Sequence, residues 1–187
     1  LFGPLGISDY IWPASPQGVT AGWGELRLRP RDMAKIGYLA LNNGWWDGES
    51  IVSEAWIQAA TTTQFDARSL SDGYGYQWWV DKNGYFMGLG YGAQYLAVVP
   101  EHDLVVVFTA NMPGERFGYP EQLLRNTIIP AVISDSPLPE NPDAQAELAE
   151  QIAQLSSQAE DVPPLPPIAS EISGTTYECR GYWTHVT

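Results

Sequence analysis

Basic residues are scarce in this chain. Nine Lys and Arg stand against 22 Asp and Glu over 187 residues, a formal charge of −13. Binding nucleic acid requires clustered cations to neutralise phosphates, so no nucleic-acid partner is expected. The acids are unevenly placed: residues 139–187 hold eight of them and one Arg. Cysteine is nearly absent as well. The single Cys179 excludes an internal disulfide and says little about compartment. No apolar run approaches the ~20 residues that cross a bilayer. The longest, Leu104 to Ala110, has the length of a buried strand. The chain opens on Leu1 without a charged and then apolar leader pattern, and it closes abruptly on Thr184-His185-Val186-Thr187. We therefore expect a piece cut from a longer protein.

Complete catalytic signatures are missing too. There is no G-x-S-x-G elbow. The only lysines, Lys35 and Lys82, have Asp32 and Trp79 three residues before them, so no S-x-x-K exists in this sequence. His102 and His185 are far apart and lack zinc-binding spacing. No Gly-rich phosphate loop joins a strand to a helix. No metal and no cofactor are expected.

What is present reads as an α+β protein, an antiparallel sheet flanked by helices. Residues 1–24, rich in Gly, Pro and aromatics, read as extended chain and turns. Pro30 suits a first helical position, and Asp32 complements the dipole there. Met33, Ile36, Gly37, Ala40 and Leu41 then share one face, up to a left-handed stop at Gly44. Residues 45–52 form a hairpin about Asp47-Gly48. Ser53 caps a helix from Glu54 to about Ala60, and Thr61 to Asp72 is a polar loop. Tyr74–Val80, Tyr85–Leu89, Gln94–Val99 and Leu104–Ala110 read as successive strands, paired antiparallel because the turns between them are short. The last two are continuous apolar runs, which predicts central strands covered on both faces. A helix follows from about Pro120 to Ile133, bent or ended early by Pro130.

Residues 136–168 read as a Pro-rich linker. It contains a short helix capped by Asp143, with Leu148, Ile152 and Leu155 as its apolar stripe, and then the stiff spacer Pro163–Pro167. Residues 169–187 read as the start of a further segment, with a strand from Ile172.

Gly88, Gly90 and Gly92 alternate along one strand, which weakens a strand and needs a reason. Close approach of a ligand to bare backbone is one reason; a glycine-marked bulge or turn joining two strands is the other. Of the eight tryptophans, Trp45, Trp46, Trp78 and Trp79 are expected to pack the sheet and its helices. Trp12 and Trp23 are the candidates for a cleft wall.

Three segments carry a resemblance. They are Phe2-Gly3-Pro4-Leu5-Gly6-Ile7, Leu28-Arg29-Pro30-Arg31-Asp32-Met33-Ala34-Lys35-Ile36-Gly37, and Gly88-Leu89-Gly90-Tyr91-Gly92-Ala93-Gln94 running into Tyr95–Pro100. In combination, over about residues 1–135, they resemble the C-terminal part of the class C β-lactamase-like serine hydrolases. That group includes penicillin-binding peptidases, esterases and nylon-oligomer hydrolases. The resemblance implies a partial β-lactamase/transpeptidase-like fold and an acyl-enzyme mechanism. Its nucleophilic Ser with Lys, and its Tyr or Ser base, would come from an earlier part of the protein. It also implies that strands and a helix from that earlier part complete this sheet, so that the chain alone could self-associate through an exposed sheet edge.

In such proteins a K-T-G or H-x-G motif lies on the strand bordering the active site. Gly88-Leu89-Gly90 takes that place here. The resemblance makes the backbone N–H of Tyr91 an oxyanion-hole donor. It puts Gly88, Leu89, Gly90, Gly92 and Gln94 beside the substrate. Gly88 and Leu89 supply neither the charge nor the hydroxyl that holds a substrate carboxylate. The implied substrate is thus a small ester, amide or peptide without that demand. A non-catalytic binding or regulatory module on the same fold is the competing expectation.

Overall fold

A computed structural model describes residues 1–67, 71–157 and 166–174. The chain divides into two compact units, Leu1–Pro137 and Leu138–Thr187.

The first unit is organised by a six-stranded antiparallel sheet in the order β10-β9-β8-β7-β6-β5. Its long members are β8 (Phe86–Gly90), β9 (Gln94–Val99) and β10 (Leu104–Phe108). The short ones are β5 (Phe65–Asp66), β6 (Gly73–Tyr74) and β7 (Trp79–Val80). The alternation of side chains along β9 divides the core in two. Tyr95, Ala97 and Val99 bury themselves with Tyr85, Met87 and Leu124. Val98 faces the other way, with Phe86 and Ala40.

Helix α1 (Pro30–Leu41) covers the second face. It begins at Pro30, as its sequence predicts, and ends on Asn43 and Gly44, both with positive φ. A Cβ on Gly37 would lie 2.6 Å from Val105 and 2.8 Å from Leu96, so this glycine lets the helix settle close onto β9 and β10. The buried face is wider than the spacing of Met33, Ile36 and Ala40 indicates. It includes Leu39, which packs with Leu5 and Ile7, and Asp32, whose carboxylate meets the Lys35 ammonium at 2.8 Å.

The opposite face is covered by α3 (Tyr119–Leu123), a π-helical stretch Leu124–Ile128, and α4 (Ile129–Ala131). The single helix expected over 120–133 is thus remodelled along its length. Pro130 offers no N–H, and its ring would press on the carbonyl four residues back. The wider π turn just before it relieves that conflict.

Other expected features hold. The small hairpin pairs β3 (Trp45–Trp46) with β4 (Glu49–Ser50) across Asp47 and Gly48, both left-handed. Ser53 caps α2 (Glu54–Ala60) by accepting from Trp56 N–H at 3.3 Å. Near the N-terminus, β1 (Tyr10–Ile11) pairs with β2 (Arg27–Leu28).

Four expectations are corrected. Tyr74–Val80 is not one strand: it turns at Gly75–Trp78, so that β6 pairs back onto β7. The turn is closed by Gly75 N–H donating to Trp78 O, and it is pinned to α2 by Tyr76 N–H donating to Ala60 O. Leu104–Phe108 pairs with β9 as expected, but among the described residues it is the edge of the sheet, not its centre. The polar loop after α2 contains β5. Finally, α5 (Pro142–Ser157) is capped by Asn141, whose Oδ1 accepts from Ala144 N–H at 3.1 Å, and not by Asp143.

In the second unit, α6 (Pro167–Ile172) ends at Ile172, where a strand was expected to begin. The remainder of that expected strand, His185, Cys179 and most of the Pro163–Pro167 spacer lie outside the described residues.

Two buried phenols tie α3 and the turn before it to the sheet. Tyr85 donates to Glu121 Oε1 and Tyr95 to Phe117 O, each at 2.9 Å. Burial, reinforced by the Glu121 charge, pushes Tyr95 from 10.0 up to about 12, and Tyr85 higher still. The folded state therefore favours the neutral phenols. Their contribution to stability is complete below about pH 10 and falls as pH rises through the folded values. Tyr95→Phe is expected to cost about 1 kcal/mol at pH 7 through the lost hydrogen bond. It should also flatten the decline of stability between about pH 10 and 12. Denaturant midpoints measured across that range check it, and an unaltered slope would count against this assignment.

Candidate functional site

The three segments singled out in the sequence meet in space. Leu5 and Ile7 pack against Leu39 of α1. Lys35 of the same helix donates through Nζ to Gly6 O at 3.3 Å. The sheet side of α1 rests on β9 and β10. The third segment is β8, its turn and the start of β9.

β8 and β9 are joined by three residues, Tyr91, Gly92 and Ala93, which close the pair Gly90↔Gln94. Gly92 and Ala93 both have positive φ, at +74° and +68°. Such a conformation is strained for an alanine and is held only where the surroundings insist. They do so here. Ala93 is completely buried, and Gly92 O accepts from Met112 N–H at 3.0 Å. A Cβ on Gly92 would sit 3.4 Å from Ala110 O, so the segment after β10 runs directly alongside.

Gln94 fastens the same junction. Its Nε2 donates to Ala110 O and, at 3.3 Å, to Tyr91 O; its Oε1 accepts from Ala110 N–H at 3.2 Å. One side chain thus takes the place of a ladder partner beyond Phe108. The contacts from Ala110 and Met112 are not visible in the sequence, because they span 16 and 20 residues and carry no motif.

The result is a hydrogen-bonded turn with one projecting member. Tyr91 is 98% exposed. Among the described residues, the turn hydrogen bonds include none from the Tyr91 N–H.

The glycines leading into the turn differ in what surrounds them. Gly88 and Gly90 share the face of β8 that carries Phe86, the face toward α1. A Cβ on Gly90 would press on Gln94 at 3.1 Å, which is a packing reason for that glycine. A Cβ on Gly88 would meet only Leu96, at an ordinary 3.8 Å. Nothing described in the chain crowds Gly88. Leu89 points to the other face and packs at the margin of the Tyr85–Tyr95 core.

The tryptophans fall into two groups. Trp46, Trp78 and Trp79 join the apolar clusters, whereas Trp45 is half exposed. Trp12 donates its indole N–H to Ala21 O and Gly24 O, both at 3.1 Å, and so pins the loop that leaves Trp23 79% exposed. A polar cleft of about 790 Å³ opens elsewhere, lined by Asp81, Lys82, Glu121 and Arg125 among others. None of Gly88 to Gln94 lines it. Among the described residues no group of His, Cys, Asp and Glu is arranged to hold a metal ion.

Residues 4–127 match the β-lactamase family model. A 6-aminohexanoate-dimer hydrolase of Paenarthrobacter ureafaciens is 29% identical over 101 residues, covering 48% of this chain and 26% of that protein. Among solved structures, a chain provisionally named as a 6-aminohexanoate-dimer hydrolase of Bacillus anthracis superposes with a TM-score of 0.50 at 25% identity. That match covers 65% of this chain and 32% of the other. A chain provisionally named as a β-lactamase of Bacteroides dorei gives 0.51 at 17% identity, covering 72% and 50%, a likeness of fold alone. The chain thus spans about a quarter of the curated relative's length.

Proposed function

Because the chain belongs to the β-lactamase family, we propose that it is the part of a serine hydrolase that supplies the strand bordering the active site and one oxyanion-hole donor. In this reading β8 is that strand, and the donor is the N–H of Tyr91. The Ser nucleophile, its Lys and the base belong to a preceding part of the protein, whose strands pair with β10, the edge of the sheet among the described residues. The substrate is a small ester, amide or peptide, attacked to give an acyl-enzyme.

One observation carries the proposal: the turn at Tyr91–Ala93 is braced by Gln94 and by the segment Ala110–Met112, yet no described turn bond uses the Tyr91 N–H. Preorganised donors of this kind stabilise an oxyanion without reorganising during the reaction. The uncrowded Gly88 supports a ligand lying across β8. We assign Gln94 to bracing this turn, since its amide already makes three bonds within the chain. The relative that acts on a 6-aminohexanoate dimer supports a small-molecule substrate. The absence of charge and hydroxyl at Gly88 and Leu89 favours one not recognised through a carboxylate there.

The test uses the full-length protein. Tyr91→Pro removes the N–H and is expected to lower kcat about 10²–10³-fold. Tyr91→Ala keeps the N–H and should retain kcat within about threefold, because the side chain is exposed. Equal losses in both variants, or none in either, would overturn the assignment. That same lack of charge at Gly88 and Leu89 also fits the second reading, a binding module that kept the fold and lost the chemistry. A full-length sequence without S-x-x-K would establish that reading instead.

A further inference from the structure

The second unit carries a pattern that hydrolysis does not use. Along the 16 residues of α5, Gln145, Leu148, Ile152 and Leu155 recur at alternating spacings of three and four. These are the seam positions of two consecutive heptads. Leu148 is 58% and Ile152 55% exposed. The helix is strongly acidic, with Asp143, Glu147 and Glu150 and no basic residue. In this register all three acids fall at outward positions. The positions flanking the seam are Ala144, Ala149, Gln151 and Ser156, all uncharged.

That distribution selects the occupant. A basic partner would be addressed by acids beside the apolar stripe, and none stands there. An anionic membrane surface would be repelled by the acidic face. A second copy of the same helix meets no like-charge repulsion across the seam, even though the whole chain carries −13. Within a parallel coil, Ile at the first seam position with Leu at the fourth favours two strands, and the one polar seam residue, Gln145, meets its own counterpart only when the two helices run parallel and in register.

We propose that α5 is a self-association element that pairs in parallel and in register with α5 of a second copy, packing Leu148 and Ile152 across the twofold axis. This inference is independent of the hydrolase reading. Two heptads make a short coil, so the association is weak and concentration-dependent.

Sedimentation equilibrium of the full 187-residue chain, over about 10 to 500 μM, tests it. The mass is expected to rise from 20.6 kDa toward twice that value. Leu148→Asp places a charge in the seam and should weaken association at least about tenfold. The substituted side chain is exposed in the single chain, so the fold should survive. Gln145→Cys in a Cys179→Ser background should form a disulfide-linked dimer under mild oxidation, because parallel pairing brings like positions together. A mass fixed at 20.6 kDa throughout, association no weaker in Leu148→Asp, or failure of the cysteine variant to cross-link would each overturn the proposal.

Discussion

The 187-residue chain on its own is expected to hydrolyse neither nitrocefin nor p-nitrophenyl esters above the buffer rate. Acyl transfer requires a nucleophile with a base in hydrogen-bond reach, and neither lysine of this chain follows a serine at the required spacing. The two deeply buried phenols cannot substitute as bases. Burial and the nearby Glu121 hold both neutral, Tyr95 up to about 12, and their O–H groups already donate to Glu121 and to Phe117 O. A lone oxyanion donor is worth about 3 kcal/mol, but only once a tetrahedral intermediate forms. In the proposed reading the nucleophile lies outside this chain, so no such intermediate would form and the turn at Tyr91 would have nothing to stabilise. A rate that survives further purification and titrates with a covalent serine inhibitor would show that this account of the chemistry is wrong.

Where the sequence was legible, short-range rules governed. Pro30 starts α1 because its missing N–H costs nothing at a first helical position. Asp47-Gly48 makes the small hairpin because both residues accept positive φ. The four-residue turn after Val99 makes β9 and β10 antiparallel partners.

Where it was not legible, distant atoms decided. The break in Tyr74–Val80 depends on the bond from Tyr76 to Ala60, two elements away, which no local pattern announces. The apolar run of β10 predicts a central strand. Hydrophobicity reports only whether the two faces of a strand are covered, and α1 and the Leu124 region cover them here. It carries no information about a lateral neighbour. The same limit applies to the site. The alternating glycines singled out β8, but not that Ala110 and Met112 hold its turn, nor that Gly88 and Gly90 sit in different surroundings.

Gly75→Ala should destabilise the chain strongly, whereas Gly88→Ala should not destabilise it. A Cβ on Gly75 would stand 1.9 Å from Ala60 O and 2.9 Å from Thr62 O. Both are backbone atoms, and Ala60 O also accepts from Tyr76, so the chain cannot yield without breaking the turn between β6 and β7. A loss of about 3 kcal/mol or more is expected, in the range reserved for backbone conflicts and cavities. Gly88 is the contrasting case. Its Cβ would make one ordinary contact, with Leu96 at 3.8 Å, and glycine within a strand is less favourable than alanine by about 0.5–1 kcal/mol. Gly88→Ala should therefore leave the isolated chain unchanged or stabilise it by roughly 0.5 kcal/mol. Denaturant unfolding at constant m measures both. If Gly88→Ala instead costs more than about 1 kcal/mol, the backbone itself needs this glycine, and the bare strand no longer argues for a ligand. If it stabilises the chain and yet lowers turnover in the full-length protein, the space above Gly88 is occupied by substrate.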